Sequence, residues 1–195
     1  MVTPEGIPNQ ASVEQAVRTI LAWTGDDPER VALRDTPGRV ARTLSALSSG
    51  YREDPAALLA TGLGETMERQ LVVVRDITFH SLCEHHLLPF FGWAAIAYLP
   101  DGHLAGLSKL ARVVNAHARR LQVQERLTEE IATTVERGLR PRGLVVALTA
   151  QHLCMSMRGA TQPGHSVVTV ATRGELASDI PAREGALRLM ALSRP

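Results

Sequence analysis

The chain of 195 residues is short of cysteine, aromatic residues and net charge, and each shortage closes off a class of function. With only two cysteines and no secretory signal, a disulfide is disfavoured. The opening MVTPEGIPNQASVEQ lacks the basic and apolar regions of a signal peptide, so the expected compartment is a reducing cytoplasm. Aromatics at 4% leave core-building to aliphatic side chains, which a hydrophobic content of 45% can supply. A net charge of +1, with no run of like charge and no interleaving of basic and aromatic residues, argues against a nucleic-acid partner. No stretch reaches the roughly 18 uninterrupted apolar residues of a membrane span.

What is present is concentrated. Both cysteines sit beside histidines, in Cys83-Glu84-His85-His86 and in His152-Leu153-Cys154. A Cys-x-x-His step brings a thiolate and an imidazole within reach of one ion, and the second thiolate completes three ligands: Cys83, His86 and Cys154. Three protein ligands leave zinc's fourth tetrahedral position open to water, as in a catalytic site. His85 and His152 would lie beside that water with pKa values near neutrality, suited to moving protons. The segments read as a zinc-dependent hydrolase; a disulfide or a pair of inert buried thiols are the competing readings.

Residues 1–10 read as a loose arm. Ser12 and Gln15 form a capping box for a helix with Val13, Val17, Ile20 and Leu21 on its apolar face, stopped at Gly25. Thr36 caps a second helix, Pro37 takes its first position, and Val40, Leu44 and Leu47 share one side. Arg39 opposes the dipole of that helix, which invites a reason for its placement, and Arg42 one turn on could project the same way; a solvated surface arginine is the alternative. Residues 51–69 look irregular or weakly helical. LVVVRDITF and FFGWAAIAYL read as strands flanking the Cys83 segment.

Ser108 opens a helix to about Arg120, with Leu110, Val113, Val114 and His117 inward. Its start, with Lys109 and Arg112 three residues apart, offers an anion pocket or simply an ordinary capped helix. A further helix runs from Glu125 to about Leu139. GLVVALTAQHLCMSMRG reads as one long strand whose period of two puts His152, Cys154, Ser156 and Arg158 on one face. Ser166–Thr172 gives a fourth strand, and the tail from Ile180, with Leu187, Leu189, Met190 and Leu192, a short helix. The expectation is an α+β fold, an antiparallel β-β-α-α-β-β sheet with helices on one face over residues 70–195, preceded by an N-terminal helical arm, residues 1–69.

Five segments, in order, resemble GTP cyclohydrolase I: DTPGRVAR (35–42), SLCEHHLLPF (81–90), GLSKLAR (106–112), RLQVQERLT (120–128) and HLCMSMRG (152–159). The resemblance implies a tunnelling fold whose strands join across subunits into a barrel, two pentamers stacking into a homodecamer with sites at subunit interfaces. It implies GTP as substrate, Zn2+ on Cys83, His86 and Cys154, and Glu125 with Gln124 on the guanine edge. His85 and His152 would be the catalytic proton carriers, His152 protonating N7 of the base. Ser108, Lys109, Arg112, Arg158, Arg39 and Arg42 would receive the ribose and triphosphate. The implied reaction releases formate and yields 7,8-dihydroneopterin triphosphate, the first step of tetrahydrofolate and pterin biosynthesis. Glu84 is left without a role.

Two departures from the family pattern stand out: Ala160-Thr161-Gln162 supplies no lysine, and Arg183-Glu184-Gly185 no phenylalanine. A nitrile reductase on the same fold would leave the histidines unexplained, and a zinc deaminase would need motifs that do not occur. A specialised or non-catalytic paralogue binding guanine nucleotide is the remaining alternative.

Overall fold

In the computed structural model, which describes residues 6, 8–60, 64–65 and 67–191, the chain divides into two units, residues 1–48 and 49–195. Most of the expected arm before residue 8, and Leu192 of the tail, lie outside the described residues.

The first unit pairs α1 (Gln10–Trp23) with α2 (Thr36–Leu47). Asn9, not Ser12, caps α1: its side chain accepts the Ser12 N–H at 3.0 Å. Asparagine caps at least as well as serine, and starting earlier lets Gln10 and Ala11 join the helix. In α2 the cap is Asp35, so Thr36 is the first helical residue and Pro37 lies within the first turn, where its missing N–H costs nothing. Val17 and Ala41 are buried, but Ile20, expected inward, is 56% exposed. Two helices share a single seam, which is narrower than the apolar face read from the spacing.

The second unit begins with a 3-10 turn, Ser49–Arg52, and α3 (Pro55–Ala60); the short β1 (Gly64–Glu65) pairs with β4 (His103–Leu104). Its sheet holds β2 (Val72–Cys83), β3 (Pro89–Leu99), β5 (Leu121–Gln122), β6 (Gly143–His152) and β7 (Val167–Gly174), in the order β5-β2-β3-β6-β7. The long strands run antiparallel to their neighbours; β5 lies parallel to β2. Between β3 and β6 the chain makes α4 (Leu107–Ala118) and α5 (Gln124–Leu139). Leu110, Val113 and Val114 on α4, and Leu127, Ile131 and Val135 on α5, recur at helical spacing and are fully buried with Phe79, Phe90, Ile96, Val146 and Leu148 of the sheet. Each such side chain contributes roughly 2 kcal/mol on burial, which is what fixes both helices to the sheet.

Three expectations change. Helices do not keep to one face: after α7 (Glu175–Ser178), α8 (Ile180–Met190) packs Ala186 with Leu176 against Ala97 and Val145, which point away from the main core. Gly106, not Ser108, caps α4, and Leu107 is its first residue. The long strand ends at His152, and Leu153–Ser156 form a single helical turn, α6. The reason lies in the neighbours. Pairing with β7 stops at Ala150↔Val167, and the β3 register, which reaches Phe90↔His152, would next oppose Leu153 to Pro89, where β3 begins. Alternation therefore does not govern Cys154, Ser156 or Arg158.

Gly92 lies between β2 and β6, opposite Phe79 and Ala150. A Cβ there would stand 1.9 Å from the Thr149 carbonyl oxygen and 2.7 Å from Ala150 Cα. Neither backbone atom can give way without disturbing the ladder. Gly92→Ala is expected to cost at least ~2 kcal/mol and lower the melting temperature by roughly 5 °C, read by thermal denaturation.

Candidate metal centre and its surroundings

Strand register alone assembles one end of the sheet. Leu82↔Pro89, Cys83↔Gln122 and Phe90↔His152 bring together the last residues of β2, β5 and β6 and the first of β3. The β2–β3 connection is tight: the Cys83 carbonyl accepts the N–H groups of His86 and Leu87, and Leu87 takes a left-handed conformation at φ 55°. That turn presents His85 and His86 at the surface while Cys83 stays buried. Cys154 arrives from α6, half-buried.

Cys83, His86 and Cys154 place one ligand atom each within 4.8 Å of one another, so they form a group that could hold a metal ion. Cys83 Sγ and His86 Nδ1 are 3.6 Å apart. Ligands at ordinary zinc–sulfur and zinc–nitrogen bond lengths, spread at a tetrahedral angle, sit roughly 3.6 Å apart, so this pair needs no rearrangement to share an ion. Burial, and then the neighbouring Cys83 thiol, push the Cys154 thiol up, with Arg158 acting weakly the other way. A cation between the two sulfurs would relieve that repulsion, and two thiolates with an imidazole are a donor set suited to zinc.

His152 is held on three sides. Its ring stacks on the buried Phe90, with centroids 4.7 Å apart and planes 2° from parallel. Its Nε2 lies 2.9 Å from Gln124 Oε1, and its backbone N–H points to His165. The tautomer follows from Gln124, whose Nε2 donates to the carbonyls of Leu148 and Val167 and to Thr169 Oγ1. Oε1 is then an acceptor, His152 Nε2 carries the hydrogen, and Nδ1 is the atom left to exchange a proton. Burial holds this imidazole below the usual histidine range, His165 adds to the shift, and Glu125 opposes it.

The remaining predicted site residues are spread more widely. Gln124 is buried, with both ends of its amide bonded to protein; Glu125 is exposed on the first turn of α5. Burial is not available to Glu125 from within the chain because it faces away from the seam that takes Leu127, Thr128 and Ile131. His85 is exposed, its Nε2 3.7 Å from Glu84 Oε1. Ser108, Lys109 and Arg112 belong to the first half of α4, and Arg158 is exposed just after α6. Arg39 and Arg42 belong to the first unit, where Arg39 pairs with Asp35 at 3.2 Å.

The structure adds partners that spacing did not reveal. Arg126 donates to Glu84, to Gln122 Oε1 at 3.0 Å and to the Leu121 carbonyl at 2.9 Å. Its guanidinium holds the Glu84 carboxyl below the usual carboxylate range, giving Glu84 a defined place beside the ligand turn. His117, read simply as inward-facing, is a buried and satisfied histidine between Glu130 Oε2 at 3.2 Å and Thr134 Oγ1 at 2.8 Å. His165 had no sequence signal, being a lone histidine in a turn.

A family model described as GTP cyclohydrolase I matches residues 13–191. GTP cyclohydrolase 1 of Brucella anthropi is 48% identical over 97% of this chain and 88% of its own length. The Bacillus subtilis protein of the same name is 50% identical over 90% of this chain and 92% of its own. A solved structure, the archaeosine synthase QueF-Like in the apo form, overlaps 55% of this chain and 96% of that one at 18% identity and a TM-score of 0.47, too slight a likeness to weigh.

Proposed function

The chain belongs to the GTP cyclohydrolase I family, its activity is that of the family, and we propose how its own residues carry the reaction. The observation that carries the proposal is the convergence of Cys83, His86 and Cys154 at the sheet end that also holds His152. The ion is zinc, and when bound it supplies the Lewis acidity that makes hydrolysis feasible near neutral pH.

With Nε2–H engaged by Gln124, Nδ1 is the atom that takes up a proton, and the imidazolium so formed delivers it to N7 of the purine and returns to the neutral ring; an electron-poor C8 then accepts water. Gln124 thereby orients His152 beside the guanine site. Glu125 accepts from the guanine N–H groups. Its exposure in a single chain fits a pocket completed by a second subunit, where the carboxylate would be desolvated and a base lacking those donors rejected. His85, steered by Glu84, is the second proton carrier. Ser108, Lys109, Arg112, Arg158, Arg39 and Arg42 receive the ribose and triphosphate, with one contact fewer where relatives carry a lysine after Arg158-Gly159. The products are formate and 7,8-dihydroneopterin triphosphate, at the head of pterin biosynthesis. The assembly is a homodecamer of tunnelling-fold subunits, with residues 70–195 catalytic and 1–69 an arm.

Incubation of the purified protein with GTP tests this reading. Formate and a pterin, fluorescent after oxidation, should both form, be lost on chelation, and return with zinc. Formate without pterin would point to a specialised product. Neither product from zinc-loaded protein would sink the catalytic assignment.

A further inference from the structure

His165 is used nowhere in the reaction as proposed, yet it stands against the imidazole on which that reaction depends. Its ring centroid is 6.4 Å from that of His152. Two bonds set the roles of its ring nitrogens. Nδ1 lies 2.6 Å from the Gln162 carbonyl, an acceptor only, so Nδ1 carries the hydrogen. The His152 N–H, a donor only, points at Nε2 from 3.3 Å, so Nε2 is bare. Nδ1 is the donor of this ring and Nε2 its acceptor.

The position has a backbone logic. Continuing the β6–β7 register two steps beyond Ala150↔Val167 sets His165 opposite His152, where the ladder has stopped. The His152 amide has lost its strand partner, and an imidazole takes the place of a carbonyl. The loop that carries Arg158 does not depend on this bond alone, because the Gln162 N–H also reaches the Met155 carbonyl at 3.0 Å.

We propose that His165 is a positioning residue for the reaction: accepting the His152 amide, it fixes the backbone from which the His152 ring meets the substrate. Phe90 and Gln124 hold the ring, and His165 holds its root. The inference rests on the reading of His152 as proton carrier. Displacement of a reacting group by a fraction of an ångström slows the chemical step more than it weakens binding, so the signature is in kcat.

The test compares zinc-loaded wild type, His165→Ala, His165→Gln and His165→Asn for formate release from GTP, together with hydrogen exchange in the peptide 151–154. In His165→Ala, kcat should fall about tenfold with KM within about twofold, and exchange should rise. Glutamine sets its Oε1 where Nε2 stood, so His165→Gln should recover most of kcat and the protection. Asparagine keeps only the donor to Gln162, so His165→Asn should resemble alanine. If the alanine variant does not fold, the glutamine–asparagine pair still carries the comparison. Wild-type kcat and protection in His165→Ala, a rise in KM alone, or rescue by asparagine and not glutamine would each overturn the proposal. A wild type that releases no formate overturns the function reading and this inference with it, whereas an active wild type with an unaffected His165→Ala overturns the inference alone.

Discussion

Cys154→Ser is expected to leave the fold intact, strip the protein of bound zinc and reduce formate release at least ~100-fold, since loss of even an outer partner of a metal ligand costs about 10–100-fold. A serine hydroxyl stays protonated at neutral pH and is a poor substitute for a thiolate, so only Cys83 and His86 would remain as strong donors. Cys154 is the better of the two cysteines to change. It is half-buried on the one-turn α6, outside the strand ladder, whereas Cys83 is buried at the end of β2 among core residues. Loss of function at Cys83 would mix metal loss with core damage. Metal analysis, circular dichroism and the formate assay on one preparation separate the two effects. A variant that keeps one equivalent of zinc and full activity would show that the ligand set is wrong.

How much of this centre was legible beforehand depended on the range of the forces involved. The Cys83–His86 pair is local: four residues in a tight turn must bring Sγ and an imidazole nitrogen together, so spacing alone was informative. The helices α4 and α5 were legible for the same reason, their apolar residues recurring at the helical period along a single stretch. The end of β6 was not. It is set by Pro89 on one neighbour and by the last β7 pair on the other, some sixty residues before and fifteen after. Alternation in the sequence ran straight through that point because nothing in the strand itself marks it. His165 and Arg126 were missed on similar grounds: their partners, His152 and Glu84, are distant in sequence and meet only once the register is formed. Glu125 shows a different limit. It is exposed in one chain, as a residue of a site shared between subunits would be.

His152→Ala should keep zinc and nucleotide binding and lose product, with kcat reduced by about 10²–10⁴, the usual worth of a positioned acid–base group. Zinc retention is expected because His152 is not among the three convergent ligands. Alanine also leaves the buried Gln124 Oε1 without its donor, which by itself costs about 1–3 kcal/mol and blurs the comparison. His152→Gln removes that ambiguity. A glutamine amide can donate to Gln124 Oε1 from near the Nε2 position, but it offers no titratable atom in place of Nδ1. If Nδ1 moves the proton, the glutamine variant is as slow as alanine even though the hydrogen bond to Gln124 survives. If glutamine restores the rate, His152 serves to organise Gln124 and the pocket around it, and the proton at N7 must come from another group, with the exposed His85 first in line.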